Sequence, residues 1–241
     1  MAASAESLAL GNVHTAHGIE FGALAAQLEG IFRRHGARTQ AAPFDVRLRP
    51  GAVRAIASFV LESDTIARAV VSHVRVWPVL QGIALVVHPH AHLDAPLLVA
   101  DLMVPPTGTP RAFVDVCGPA IARPPFGPRF REPLAAILDR AHVPRRAPVP
   151  AWIAPLSGGA GGRLSARRGC GEVLATTLTR YLSCYLAALA TAERAMDVDA
   201  NRAAATSAAS AVRASGPAAR YLTRAFGRDY TARYLDLLWR A

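Results

Sequence analysis

The chain has 241 residues, of which 52% are hydrophobic and 18% charged, enough apolar material to bury a substantial core and too much for disorder along its whole length. Its formal net charge is +10, and every basic side chain is arginine because lysine is absent. Such a field attracts nucleic acid, anionic membranes, acidic proteins or carboxylate-bearing substrates, without choosing among them.

One domain over 1–241 is expected, with disorder confined to 1–18. Leu24, Leu28, Ile31 and Phe32 recur at helical spacing and predict an amphipathic helix over Phe21–His35. Short β-branched runs then predict strands at Phe44–Leu48, Val53–Leu61, Ala69–Val76, Ile83–Val87, Pro96–Val104 and Arg111–Cys117. The turns between them are too short for crossover helices, so sequential antiparallel pairing follows. A helix is predicted over Arg131–His142, then a proline- and arginine-rich connection over Val143–Pro155. The glycine-rich Ser157–Gly162, followed by Arg163, Arg167 and Arg168, predicts a loop. Helices follow from Cys170 onward and over Asn201–Ala214, with a last one from Ala218 after the Gly216-Pro217 break. The longest apolar stretch, Val173–Ala192, is interrupted by Arg180, so no membrane span is expected. A central antiparallel sheet with helices before and after it is an α+β domain.

Several segments carry a family resemblance. Ala95-Pro96-Leu97-Leu98-Val99-Ala100-Asp101-Leu102, followed after a turn by Arg111-Ala112-Phe113-Val114-Asp115 and Gly118-Pro119, resembles the central hairpin of ferredoxin-dependent bilin reductases. Ser63-Asp64-Thr65-Ile66-Ala67-Arg68 leading to His73-Val74-Arg75, then Arg145-Arg146 with Pro150-Ala151-Trp152, and finally Tyr221–Gly227 with Tyr234, match further segments of that family in the same order. The superfamily also includes red chlorophyll catabolite reductase, and this chain is similar to it as a divergent member. The resemblance implies a three-layer α/β/α sandwich enclosing a linear tetrapyrrole such as biliverdin. It also implies single electrons arriving from an acidic ferredoxin, a radical mechanism, and neither a metal nor a tightly bound cofactor.

Asp101 is the leading catalytic candidate: a carboxyl group on a strand among apolar neighbours is desolvated, stays protonated near neutrality and can donate a proton. The resemblance places the family's proton-donating aspartate there. A buried structural aspartate satisfied by backbone amides is the alternative. His88, His90 and His92 form a His-x-His-x-His pattern. Three alternate residues of an extended segment share one face and could meet one ion or one pigment edge; Pro89 and Asp94 suggest instead solvated histidines on a turn. His88 and His90 are candidates to replace a family histidine whose nearest match here is Ala84. The resemblance sets Arg75, Arg145, Arg146 and Trp152 against the substrate, the arginines matching propionates bidentately. A solvated basic loop is the other reading of Arg145 and Arg146. Arg75 stands where the family often has a glutamate, and Gly216 where it often has an aspartate, so one carboxyl donor favours a two-electron over a four-electron reduction.

Three cysteines in so long a chain, Cys117, Cys170 and Cys184, exclude a disulfide scaffold, and without Cys-x-x-Cys spacing they offer no cluster or zinc pattern. The few cysteines and the lack of a signal-peptide pattern in Met1–Leu10 lead to the expectation of a cytoplasmic protein; the chain is separately expected to be a monomer. The glycine run lacks the lysine of a phosphate-binding loop, and arginines scattered without interleaved aromatics do not make a specific nucleic-acid surface. The expected function is a ferredoxin-dependent bilin reductase; a tetrapyrrole carrier or sensor without turnover is the alternative.

Overall fold

The computed structural model describes residues 18–40, 45–46, 54–76, 80–105, 107–118, 127–140, 145–151, 153–215 and 217–240. Helix α1 (Phe21–Arg34) forms as its periodicity predicts and buries Phe21, Leu24, Leu28, Ile31 and Phe32. Arg33 and Arg34 fall in its last turn, where positive charge complements the exposed carbonyls.

The strands are β1 (Arg38–Gln40), β2 (Asp45–Val46), β3 (Arg54–Glu62), β4 (Ile66–Val76), β5 (Leu80–Pro89), β6 (Leu97–Val104), β7 (Arg111–Cys117), β8 (Arg145–Ala147) and β9 (Gly162–Ser165). They form one sheet in the order β1-β3-β4-β5-β6-β7-β9-β8, with β2 also pairing β3, and every pairing is antiparallel. From β3 to β7, spatial order follows chain order, as short connections dictate.

Alternation along each strand sorts side chains onto two faces. Phe59, Val71, Leu85, Ala100 and Val114 face one core, shared with α1, α2 (Glu132–Arg140) and α3 (Glu172–Leu189). Ile56, Val70, Val86, Val99 and Phe113 face a second, shared with α4 (Val198–Ser215), α5 (Pro217–Phe226) and α6 (Arg228–Trp239). Because both faces are covered, β4 and β5 are apolar along most of their length rather than alternating with polar residues. The architecture is the expected α/β/α sandwich.

The departures have local causes. β1, β8 and β9 are short and rich in Arg, Gln, Gly and Ser; pairing to the outer strands, not propensity, makes them strands. The expected loop after Ser157 therefore becomes β9, and Arg163 lies in it. Gly161 is required there, because a Cβ would stand 2.2 Å from the Val114 carbonyl oxygen. The expected single C-terminal helix is two, α5 and α6, broken at Gly227, whose φ of +87° suits glycine. Residues 1–17, where disorder was expected, and Gly216 lie outside the described residues.

Candidate functional site

Asp101 sits mid-strand on β6 and projects to the α4–α6 side, in the parity of Val99 and Phe113. Its cross-strand partners are Ala84 on β5 and Phe113 on β7. The backbone N–H of Phe113 donates to its Oδ1 at 3.2 Å, a bond that favours the carboxylate. Loss of hydration outweighs it and pushes the carboxyl up to about 7. The residue still keeps a partly exposed surface.

The same transverse row continues from Ala84 to Ser72 and Ser58, whose hydroxyls lie 2.8 Å apart. Tyr234 of α6, 3% exposed, brings its hydroxyl beside Ser72 without reaching hydrogen-bond geometry, and burial pushes that hydroxyl's pKa up. Asp115, one pleat along β7 on the same face as Asp101, is fully buried. Its carboxylate accepts Ser157 Oγ–H and, at 2.8 Å, the Val116 N–H. It is a structural acid; burial, and after it the Asp115 charge, raises the Cys117 thiol pKa.

A cavity of about 440 Å³ opens at the other end of this face, between the ends of β4, β5 and β6, helix α4 and Arg240 beyond α6. Its size is that of a small-molecule pocket. His88 and His90 line it, as do Arg68, Arg202 and Leu97. Asp101 is not in its wall: it stands on the same strand face as Leu97, about 13 Å further along β6 at the usual rise per residue.

The three histidines are not on one turn. His88 lies inside β5, 3% exposed, and its Nε2 is 3.0 Å from the Leu238 carbonyl oxygen. That acceptor makes Nε2 the protonated nitrogen, and the ring meets Trp239 edge-on. Burial is the main cause that lowers the His88 pKa. His90 follows the strand and donates through Nε2 to the Ser63 carbonyl at 3.0 Å, with its ring stacked on exposed His92. Strand alternation ends at Pro89, so the pattern does not gather three rings around one point. Among the described residues no group of three or more His, Cys, Asp or Glu side chains is arranged to hold a metal ion.

Arg75 is not brought to Asp101. The register pairs Arg75 with Ala55 and Gln81, while Ser72 pairs with Ala84 and Ala84 with Asp101. Odd-numbered β4 residues therefore face α1, where His73 stacks on Phe21. A displacement of one residue is enough to send a strand side chain to the opposite face, so Arg75, expected beside Asp101, lies on the α1 side of the sheet, opposite the face that carries Asp101. Arg145 and Arg146 lie on β8, three strand spacings, about 14 Å, from β6. Their side chains, and Trp152 entirely, lie outside the described residues. Arg68, Asn201, Arg202 and Arg240 were not anticipated. Arg68 carried a signal: it interrupts an otherwise apolar strand pattern on a face that must pack.

No family model matches the chain, and no curated protein matches it. Its fold is nevertheless that of the ferredoxin-dependent bilin reductases, as the resemblance in sequence implied. The chain superposes on phytochromobilin synthase from tomato, solved in complex with biliverdin, with a TM-score of 0.72 over 88% of this chain and 80% of that one. Identity is 13%, so the likeness is one of fold. Among the described residues no helix is long and apolar enough to cross a membrane.

Proposed function

We propose that this protein is a ferredoxin-dependent bilin reductase that binds a linear tetrapyrrole such as biliverdin between the sheet and helices α4–α6. The observation that carries this is the placement of Asp101: a desolvated carboxyl, pushed up to about 7, on the helix-covered face of a fold shared with a protein solved with biliverdin. A carboxylic acid poised near neutrality can hold a proton before transfer and give it up as charge develops.

The reaction is a two-electron reduction. Two reduced ferredoxins each supply one electron, the tetrapyrrole takes up two protons, and one carbon–carbon double bond becomes single. Asp101 supplies a proton and is reprotonated from solvent through its exposed side. His88 is a weaker donor because its ring is neutral and its Nε2–H is committed to Leu238; its role is to position the ligand. His90 is similarly committed to Ser63. The chain itself need hold no metal or flavin, since the electrons come from ferredoxin. Exposed Arg163, Arg167 and Arg168 add to the field that draws an acidic partner.

The reading is tested by incubating the protein with biliverdin, reduced ferredoxin and a reducing system under anaerobic conditions. A progressive absorbance change to a reduced bilin supports it, and an unchanged spectrum with active ferredoxin counts against it. One observation favours a carrier instead: among the described residues of the row containing Asp101, which include Ser58, Ser72, Ala84, Phe113 and Arg163, none is a second carboxylic acid or an imidazole, and Asp115 is satisfied by its own partners. A carrier would bind biliverdin without consuming electrons.

A further inference from the structure

We propose that the cavity at the His88 end of the sheet is an organic-acid site in which Arg68 and Arg240 together bind a carboxylate. The wall supplies the means. A register shift between Ile66 and Arg68 puts an extra residue, Ala67, into β4 opposite β5. Without it, Ile66 and Arg68 would share a face; with it, Ile66 enters the α1 core and Arg68 enters the cavity wall. Bulges commonly re-aim side chains in this way.

The charges there are unbalanced. Among the described residues, Arg68, Arg202 and Arg240 line the cavity against one acid, Glu62, and Arg202 already pairs with Asp199 at 3.2 Å. Arg240 repels Arg68 more strongly than either Glu62 or Asp236 attracts it. Among the described residues one buried donor of this wall, Arg68 Nε–H, has no hydrogen-bond partner; His88, its cross-strand partner, offers no donor to a ligand because its protonated Nε2 is committed to Leu238. Buried polar groups without partners are costly and ask for an explanation. A carboxylate relieves the guanidinium repulsion and accepts from both arginines, in the planar geometry that suits them.

The remaining wall includes Ala67, Pro89, Leu93, Ala95, Leu97 and Ala205. This apolar lining fits a carboxylate borne on a carbon skeleton rather than a bare inorganic ion. Asn201 holds that wall in shape by donating to the Ala91 and Leu93 carbonyls at 3.1 and 3.0 Å. Two sources share the chemistry: a propionate arm of a tetrapyrrole lying along β6 toward Asp101, which rests on the function proposed above, or a separate organic acid, which does not.

The test is a set of calorimetric titrations at low ionic strength. Biliverdin, biliverdin dimethyl ester and succinate are each titrated into the wild type, Arg68→Met and Arg240→Ala. Arg240 is exposed, so its replacement leaves the core intact, and thermal unfolding checks both variants. The propionate source predicts that biliverdin binds about tenfold tighter than its ester and that either substitution erases the difference. The separate source predicts succinate binding that both substitutions weaken by about tenfold, whether or not biliverdin binds. Succinate binding that depends on the arginines while no tetrapyrrole binds upholds this site and sinks the bilin reading. The proposal is overturned if neither the ester difference nor succinate binding responds to Arg68 and Arg240.

Discussion

Asp101 on β6 accepts the backbone N–H of its cross-strand partner Phe113 at 3.2 Å, and this bond is outweighed by loss of hydration, so the acid rests near neutrality instead of near its ordinary value. If that proton enters the reaction, replacing the acid by its isosteric amide removes the donor while keeping the shape. Asp101→Asn is expected to slow bilin reduction by about 10²–10⁴-fold while leaving the dissociation constant for biliverdin within about threefold. Single-turnover absorbance kinetics measure both quantities.

The same shift fixes a dependence of stability on pH. In the unfolded chain an aspartate titrates near 3.9, whereas folded Asp101 titrates at about 7. Between these values the folded state holds more protons, so the stabilising contribution is complete below about pH 4 and is lost as the pH rises through about 7. The change is on the order of 2 kcal/mol once partial exposure is allowed for. Urea unfolding of wild type and Asp101→Asn from pH 4 to 8 measures it; the variant's curve lacks this decline.

His88 acts in the opposite sense. Its folded pKa is lowered, chiefly by burial, so it folds neutral and the unfolded chain takes up the proton more readily. Stability is therefore retained above about pH 6.5, the unfolded value, and lost as the pH falls below it. His88→Gln, which keeps a donor for the Leu238 carbonyl, is expected to flatten the acid side of the stability profile in the same unfolding measurements.

How much of this was legible in the sequence depends on how far each feature is set by local pattern. α1 and the strands from β3 to β7 follow from periodicity, and Asp101 is conspicuous as a carboxyl group in an apolar run. The face of Arg75 was not legible, because nothing near it reveals the register that puts it with His73. Nor was the Arg68 cavity: Arg240 lies 172 positions away in the chain, and only α6 packing over β5 brings their charges together. β8 and β9 owe their existence to an available sheet edge, which composition does not record.

Gly161 gives a test of that edge. An added Cβ would meet the Val114 carbonyl and the Asp115 side chain, backbone and buried carboxylate that have little room to yield. Gly161→Ala is expected to cost about 1–3 kcal/mol in chemical denaturation and to disturb the Ser157–Asp115 hydrogen bond before it affects the distant His88 cavity.

Electron delivery should carry the mark of the +10 net charge. Opposite charge speeds encounter more than it tightens docking, and salt screens it over about 10 Å at 0.1 M. Raising the salt from about 0.02 to 0.3 M is expected to lower kcat/KM for ferredoxin by about tenfold or more with little change in kcat. Steady-state kinetics with ferredoxin as the varied substrate decide this.

The most direct test of the whole account is an absorbance titration of the folded protein with biliverdin. Saturation near one pigment per chain, with a shifted visible band that Leu235→Trp on the α6 side perturbs, is the predicted result. A biliverdin spectrum identical to that in buffer at every protein concentration would contradict it.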